Sequence, residues 1–175
     1  ASNLDQALLL SSFSHPNVPL GFIDRFSVIA EAYHIPLIIV FNKADLYGEE
    51  EWARFSEAQE IYEPLGYAVH LLSTLEQSGL IELHELLAGK TTLISGQSGV
   101  GKSSLINLLA PELELKIQDV SAYNEKGQHT TTFAEMFDVT LGENIVPSSI
   151  IDTPGVKEFG MMDMEVAELS HYFPE

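Results

Sequence analysis

The sequence predicts an α/β fold: a six-stranded, mainly parallel sheet with helices on both faces. Short apolar runs rich in β-branched residues alternate with longer segments of helical periodicity along the 175 residues. Such alternation is typical of a parallel sheet covered on both sides. Glycine-rich and polar motifs directly follow several of the runs, where parallel strands end and ligands bind. The length fits one domain.

Each predicted strand is an apolar run that ends at a turn or a polar motif. The six strands lie near residues 7–13, 36–41, 67–72, 91–95, 133–140 and 146–151. The five helices lie near residues 21–34, 49–63, 79–88, 102–110 and 163–172. The last two strands are joined through Gly142, Glu143 and Asn144, and this short connection predicts the one antiparallel hairpin.

The segment Gly-Gln-Ser-Gly-Val-Gly-Lys-Ser at 96–103 fits the phosphate-loop pattern G-x-x-x-x-G-K-[ST]. In such a loop backbone N–H groups bind phosphate, Lys102 reaches the β- and γ-phosphates, and the Ser103 hydroxyl ligates Mg²⁺. A strand precedes the loop and a helix follows it, so the helix dipole favours negative charge there. The predicted phosphate-binding residues are Gly96, Ser98, Gly99, Val100, Gly101, Lys102, Ser103 and Ser104. The alternative is a glycine turn between a strand and a helix.

The tetrapeptide Asn-Lys-Ala-Asp at 42–45 closes the apolar run 36–41 and therefore lies where α/β sheets bind ligands. A carboxylate at Asp45 can accept the hydrogens of N1 and of the exocyclic amine of guanine, whereas adenine has an acceptor at N1. Lys43 would lay its aliphatic stem along the base, and Asn42 would tie this loop to the phosphate loop. Taken alone, the tetrapeptide could be a turn or a helix cap.

Ser73 and Thr74 follow the run 67–72, in the expected place for a second base-contacting loop, although such a pair also caps helices. Both base motifs precede the phosphate loop, the reverse of the common GTPase order. This inversion indicates a circularly permuted Ras-like P-loop fold. The predicted spatial order of the strands is 133–140, 146–151, 91–95, 7–13, 36–41, 67–72, which right-handed crossovers permit without a knot.

Two later segments have the composition of nucleotide-sensing switch loops. The segment Gly-Gln-His-Thr-Thr-Thr at 127–132 would place Thr131 on Mg²⁺ when γ-phosphate is present. The segment Asp-Thr-Pro-Gly at 152–155 would place Asp152 near Mg²⁺, usually through water, and the Gly155 N–H on the γ-phosphate. A strand start and an ordinary turn are the respective alternatives.

The residue after the second switch glycine is Val156, where many GTPases have a glutamine that orients the attacking water. Another group must then hold the water. His129 is the candidate catalytic residue, because a neutral imidazole can accept a hydrogen bond from water; the alternative is an exposed loop histidine. The other histidines have no ligand-like spacing and are expected to be structural: His15, His34, His70, His84 and His171.

The composition limits the partners and the location of the chain. It has 26 acidic and 8 basic residues and a net charge of −18, so its surface repels nucleic acid overall, and RNA binding would need a local basic patch or attached domains. The absence of cysteine excludes disulfides and zinc-thiolate sites within the chain. The apolar runs are shorter than the roughly 18 residues of a membrane span, and the chain begins with no apolar leader. A cytoplasmic protein without membrane contact is expected.

Five motifs follow one another along the chain: the base motif, the second base loop, the phosphate loop, Gly-Gln-His-Thr-Thr-Thr and Ile-Asp-Thr-Pro-Gly-Val. In this order they closely resemble the motifs of the RsgA (YjeQ) family of circularly permuted bacterial GTPases. That family acts in late maturation of the small ribosomal subunit. The resemblance spans essentially the whole chain. Permuted GTPases of the YlqF type share the inverted order, but their phosphate loop usually carries Pro-Asn-Val where this chain has Ser98, Gly99 and Val100, and they lack the His-Thr-Thr-Thr switch.

The resemblance implies a GTPase domain over residues 1–175 that binds GTP or GDP with Mg²⁺ and acts on the small ribosomal subunit, with its 16S rRNA, through the intact protein. Family members also carry an N-terminal OB-fold and a C-terminal zinc domain. Neither is expected here, since residues 1–6 leave no room for a barrel and the chain has no cysteine. A monomer is expected. In the family the histidine matching His129 is a proposed catalytic group.

Three function classes stay open. The first is an enzyme that hydrolyses GTP slowly alone and faster on a ribosomal partner. The second is a binding switch in which GTP orders residues 119–132 and 153–165 and hydrolysis is incidental. The third is a P-loop kinase or ATPase. Asp45 disfavours this class, and equal affinity for ATP and GTP would support it.

Overall fold

The computed structural model describes residues 4–111, 135–141 and 145–152. Within these ranges six strands and four helices follow one another: β1 (Gln6–Ser11), α1 (Leu20–Ala32), β2 (Leu37–Phe41), α2 (Glu49–Tyr62), β3 (Ala68–Leu71), α3 (Leu80–Leu87), β4 (Thr91–Gly96), α4 (Lys102–Leu109), β5 (Glu135–Leu141) and β6 (Val146–Asp152). A 3₁₀ turn, Ala44–Leu46, follows β2. The predicted helix at 163–172 lies outside the described residues.

The six strands form one sheet in the order β3-β2-β1-β4-β6-β5. All neighbours pair in parallel except β5 and β6, which are antiparallel. The predicted strand order and the single predicted hairpin are therefore confirmed. From β1 the chain proceeds outward to β3 and then returns to β4 on the other side of β1. Such a reversal of direction opens a crevice at the carboxyl ends of the two strands that flank it.

Helices cover both faces of the sheet, as predicted. All six residues of β1 are buried, as expected of a central parallel strand enclosed by two layers. Because alternate side chains point to opposite faces, β1 contributes to two cores. Leu8 and Leu10 pack with α3 and α4, and Ala7 and Leu9 pack with α1 and α2.

Strand β1 ends at Ser11, two residues before the predicted end at residue 13. The Ser12 hydroxyl donates to the Ser14 carbonyl at 2.7 Å, and the Ser14 N–H donates to the Ser12 oxygen at 3.0 Å. Such local side-chain bonds compete with a strand ladder. The chain therefore leaves the sheet at Ser12 and forms a connection of residues 12–19, here called the β1–α1 loop.

Two tyrosines tie α1 to the elements beside it. The Tyr62 hydroxyl donates to Asp24 Oδ1 at 2.7 Å, and the Tyr67 hydroxyl donates to Glu31 Oε1 at 3.0 Å. Burial, together with Glu31, raises the pKa of Tyr67 to about 12. Among the described residues, no helix combines the length and apolar character needed to cross a membrane.

Candidate functional site

The motifs predicted from the sequence meet at the carboxyl edge of the sheet. The segment 42–45 follows β2, Ser73 lies just after β3, the phosphate loop follows β4, and Asp152 ends β6. These strands and β1 all run in the same direction, so their carboxyl ends lie at one edge. Motifs more than 100 residues apart in sequence thus contribute to one site.

Two positions of the phosphate loop have room only for glycine. A Cβ at Gly101 would lie 2.4 Å from Asn42 Nδ2, and the backbone there has a φ of +101°. A Cβ at Gly96 would lie 2.5 Å from the carbonyl oxygen of Leu10. The loop is therefore pressed against both β1 and the base motif, a close approach that only glycine allows.

Helix α4 begins at Lys102, directly after Gly101. The Leu105 N–H donates to the Gly101 carbonyl at 2.9 Å, which closes the first helical turn. By the geometry of an α-helix, the N–H groups of Ser103 and Ser104 come too early in the first turn to have a carbonyl partner within the helix. The helix start therefore presents backbone donors and a positive dipole end to the crevice, and this donor set fits a phosphate.

The predicted phosphate ligand Lys102 and the predicted metal-associated residue Asp152 form an ion pair. The Lys102 ammonium lies 3.2 Å from Asp152 Oδ1, and their side chains are 12% and 22% exposed. Strands β4 and β6 are parallel neighbours with Ile94 paired to Asp152, which places the carboxylate beside the phosphate loop. Ser103 follows Lys102 in the first turn of α4, so all three side chains lie around the start of that helix.

Asn42 joins three loops through its side chain, which is fully buried. Its Nδ2 donates to the Val100 carbonyl at 2.8 Å and to Thr74 Oγ1 at 3.3 Å. Its Oδ1 accepts from the Thr74 N–H at 3.0 Å. The predicted tie between the base motif and the phosphate loop is confirmed by these contacts, and the second tie, to Thr74, was not predicted.

Ser73 contacts the carboxylate that is predicted to recognise the base. Its hydroxyl donates to Asp45 Oδ1 at 2.5 Å and accepts from the Glu76 N–H at 3.1 Å. Ser73 is fully buried. The sequence suggested that Ser73 binds the nucleotide, and the contact observed in the structure is with Asp45, whose carboxylate it orients.

Lys43 has a left-handed backbone with φ 65° and ψ 35°, which is uncommon for a residue other than glycine. Its ammonium donates to the carbonyl oxygen of His15 in the β1–α1 loop. Burial lowers the pKa of Lys43, and the negative charge of Asp45 opposes that shift. The contact with His15 was not predicted, because a backbone acceptor has no sequence signature.

Tyr47 is a further residue that the sequence analysis missed. Its hydroxyl donates to the Asn42 carbonyl at 3.0 Å and accepts from the Phe13 N–H at 3.1 Å. Burial raises the pKa of Tyr47, so the hydroxyl keeps its proton for donation. The only sequence signal was an aromatic residue two positions after the Asn-Lys-Ala-Asp motif.

Several predicted site residues lie outside the described residues: His129, Thr131 and Gly155. Of the remaining phosphate-loop residues, Ser98 is exposed, Val100 is buried, and Gly99 has a φ of +84°. Within residues 4–111, 135–141 and 145–152, no group of three His, Asp or Glu side chains could hold a metal ion. The predicted Mg²⁺ ligands Ser103 and Asp152 do not depend on such a group.

Comparison with known proteins agrees with this arrangement. A family model described as RsgA GTPase matches residues 1–162. The small ribosomal subunit biogenesis GTPase RsgA of Bacteroides fragilis is 49% identical over 175 residues, which cover 100% of this chain and 55% of that protein. The protein of the same name from Flavobacterium psychrophilum is 47% identical over 100% of this chain and 52% of its own length. The chain spans about half the length of the curated relatives it matches.

Two solved structures resemble the fold. YjeQ from Thermotoga maritima has a TM-score of 0.79 and 36% identity, over 98% of this chain and 55% of that one. YloQ, described as a circularly permuted GTPase, has a TM-score of 0.68 and 31% identity, over 98% of this chain and 52% of that one. The family model covers most of the chain, and the order of the motifs along the strands is the permuted one. The chain therefore has the circularly permuted GTPase fold and belongs to the RsgA GTPase family.

Proposed function

We propose that this chain is the GTP-binding and GTP-hydrolysing domain of a small ribosomal subunit biogenesis factor. The observation that carries the proposal is the set of Asn42 hydrogen bonds, which joins the base motif, the loop of Thr74 and the phosphate loop. A ligand with a base at one end and phosphates at the other gains affinity when both subsites are held in place beforehand. The ribosomal role is supported by the names of the relatives.

Base selection is assigned to Asp45. Ser73 donates to one carboxylate oxygen, and a carboxylate held in this way presents further lone pairs to the crevice. Guanine offers two adjacent donors, N1–H and the exocyclic amine, whereas adenine offers an acceptor at N1. A hydrogen bond to a charged group contributes about 1.5–3 kcal/mol, so the site should bind GTP in preference to ATP.

The phosphates are assigned to the phosphate loop and the start of α4. The Lys102 ammonium, now 3.2 Å from Asp152, would neutralise the β- and γ-phosphates, while backbone N–H groups of the loop donate to their oxygens. Ser103, Thr131 and Asp152 are the residues that would hold Mg²⁺, which neutralises charge on the phosphates in reactions of this class. The glycine cradle and the oxygen donors described above fit this group.

Hydrolysis needs a group that orients the attacking water, and Val156 cannot do so. We assign this role to His129 and the γ-phosphate contact to Gly155, on the basis of the motifs alone. We further propose that residues 1–175 act as one monomeric GTPase domain of a longer cytoplasmic protein. Contacts with 16S rRNA would then be made mainly outside this acidic domain, for example by the OB-fold and zinc domains of its family.

The test is GTP turnover by the full-length protein with and without small ribosomal subunits, for wild type and for Asp45→Asn. Wild type should be stimulated by the subunits. Asp45→Asn should bind GTP at least about tenfold more weakly and should gain affinity for xanthosine triphosphate, whose base presents an acceptor where guanine has an amine. Isothermal titration measures the affinities.

Glu31→Gln is the matched control, since Glu31 also accepts a hydroxyl hydrogen, from Tyr67 at 3.0 Å, but lies in the last turn of α1, at the amino edge of the sheet. It should leave nucleotide preference unchanged. Unaltered GTP affinity in Asp45→Asn would disprove the base assignment. Turnover that is indifferent to ribosomal subunits would disprove the ribosomal part of the proposal.

A further inference from the structure

The β1–α1 loop, residues 12–19, belongs to none of the nucleotide motifs, yet the topology places it between them. Strand β1 lies between β2 and β4, so the connection that leaves its carboxyl end passes between the base motif and the phosphate loop. The loop contacts both sides. The His15 carbonyl accepts from Lys43, and a Cβ at Gly99 would lie 3.6 Å from Pro16 Cδ.

Tyr47 links this loop to the base motif through two backbone groups. Its hydroxyl accepts from the Phe13 N–H at 3.1 Å and donates to the Asn42 carbonyl at 3.0 Å. That carbonyl belongs to the peptide between Asn42 and Lys43, at the entry to the left-handed residue. A strained backbone conformation persists only where surrounding groups stabilise it. The hydrogen bond from the Tyr47 hydroxyl stabilises the peptide between Asn42 and Lys43 in this orientation.

The ring of Tyr47 is itself fixed by an aromatic cluster, which we define as Phe13, Phe41, Tyr47, Trp52 and Phe55. The Tyr47 ring centroid lies 6.2 Å from Phe13 and 6.0 Å from Trp52, and Phe13 stacks on Phe41 at 4.5 Å. Centroid separations in this range are those of favourable aromatic pairs. The hydroxyl therefore sits on a rigid support that extends from α2 to the β1–α1 loop.

Arg54 of α2 holds the outer part of the same loop. Its guanidinium lies 4.3 Å from the centroid of the Phe13 ring, within the range of a cation–π contact. Its Nη1 donates to Asn17 Oδ1 at 2.5 Å. The loop is thus held to α2 at Phe13 and Asn17, and to the base motif through Tyr47 and Lys43.

We propose that Tyr47 is a positioning residue for guanine recognition, which sets the orientation of the Asn42–Lys43 peptide and, through it, the placement of Lys43 and Asp45 against the base. The inference rests on the proposed function and adds a residue to it. Tyr47 acts through main-chain groups and needs no contact with the nucleotide. Its effect should therefore depend on which base is bound, whereas a purely structural role would weaken every nucleotide equally.

The experiment compares GDP and IDP binding to the full-length protein by isothermal titration, for wild type, Tyr47→Phe and Tyr67→Phe. Inosine lacks the exocyclic amine of guanine, so IDP can make fewer contacts with Asp45. Tyr47→Phe keeps the ring in the aromatic cluster and removes the hydroxyl, which leaves the Phe13 N–H and the Asn42 carbonyl without that partner.

For Tyr47→Phe we expect GDP affinity to fall about three- to tenfold, the range set by one lost hydrogen bond. We expect a smaller loss for IDP, so that the preference for GDP narrows. Tyr67→Phe removes a hydroxyl that bonds to Glu31, beside the amino end of β3 at the opposite edge of the sheet, and should leave both affinities unchanged. The thermal midpoint without nucleotide should fall no further in Tyr47→Phe than in this control.

Wild-type affinities in Tyr47→Phe, or equal losses for GDP and IDP, would overturn the inference and leave the proposed function intact. Failure of the proposed guanine selection has a different signature, which an added ADP titration of the wild-type protein would show: ADP would then bind as tightly as GDP.

Discussion

Gly101 and Asn42 lie so close together that the phosphate loop and the base motif act as one unit. Replacing Gly101 with alanine puts a Cβ 2.4 Å from Asn42 Nδ2, so the amide must move away from Val100 and Thr74. We therefore expect Gly101→Ala to lower GDP affinity by at least about tenfold, since a buried amide loses its partners. Isothermal titration provides the measurement.

Gly66→Ala is a matched control for this substitution. Gly66 also has a positive φ, +91°, but a Cβ there would meet nothing within 4 Å. Both variants should lose about 1–2 kcal/mol of stability through backbone strain. Gly101→Ala should lose more, because the Asn42 amide is also displaced from its partners, and only Gly101→Ala should lose affinity. Equal GDP affinities in the two variants would mean that the Asn42 contact does not support binding.

At the residue scale, the sequence predicted those site residues whose side chains are constrained by a recurring motif. The bond from Asn42 to the phosphate loop could be expected, because the amide in this motif must join two loops. Tyr47 could not be identified in this way, since its partners are the backbone groups of Phe13 and Asn42. The same holds for the carbonyl of His15, whose position depends on the conformation of the β1–α1 loop.

Two histidines, one in the edge strand β3 and one in α3, should make stability depend on pH. Burial lowers the pKa of His70 in β3, against the opposing charges of Glu82 and Glu63, and burial likewise lowers that of His84 in α3, against Glu85. Among the described residues, His84 Nε2 is buried without a hydrogen-bond partner. Protonation of either ring is therefore less favourable in the folded protein than in the unfolded chain.

The sign of the effect follows from these depressed pKa values. Their contribution to stability is present above the ordinary histidine pKa of 6.5 and is lost as the pH falls below it, because the unfolded chain then binds more protons. We expect the double variant His70→Gln/His84→Gln to lose less free energy of unfolding than the wild type does when the pH falls from 7 to about 5.5. Urea titrations at both pH values measure this. Identical losses in wild type and in the double variant would refute the assignment.

At the element scale, strand order could be predicted because the inverted order of the nucleotide motifs identified a permuted Ras-like fold, in which the position of each strand is set. Ends of elements were harder to predict. The run Phe-Ser after Ser12 is compatible with a continued strand, but the bond between the Ser12 hydroxyl and the Ser14 carbonyl turns the chain outward. Helix α3 begins at Leu80, one residue after the predicted start at residue 79, because Gly79 has a φ of +76°.

At the scale of the whole molecule, the net charge of −18 predicts how strongly the chain binds ribosomal subunits and how salt changes that binding. Salt weakens binding between a basic protein and RNA by counterion release, whereas between an acidic surface and RNA it screens a repulsion. We expect the isolated 175-residue chain to bind small ribosomal subunits far more weakly than the full-length protein does, and moderate salt should not weaken what binding remains. Sedimentation with subunits over a salt series tests this, and binding that falls steeply with salt would reveal a basic contact surface within the chain.

The position of β1 also bears on the order in which the site is made. The three strands β1, β2 and β3 and the helices between them are contiguous in sequence from Gln6 to Leu71, and their pairings need no later residue. Contacts between segments near in sequence form faster than distant ones, and chains fold from the N-terminus during synthesis. Translation therefore delivers Asn42, Asp45 and Ser73 before the phosphate loop at 96–103. In a nascent chain of this permuted order, the segment from β1 to β3, which carries the base motifs, can fold first. In GTPases with the common motif order, the phosphate loop is synthesised before the base motifs.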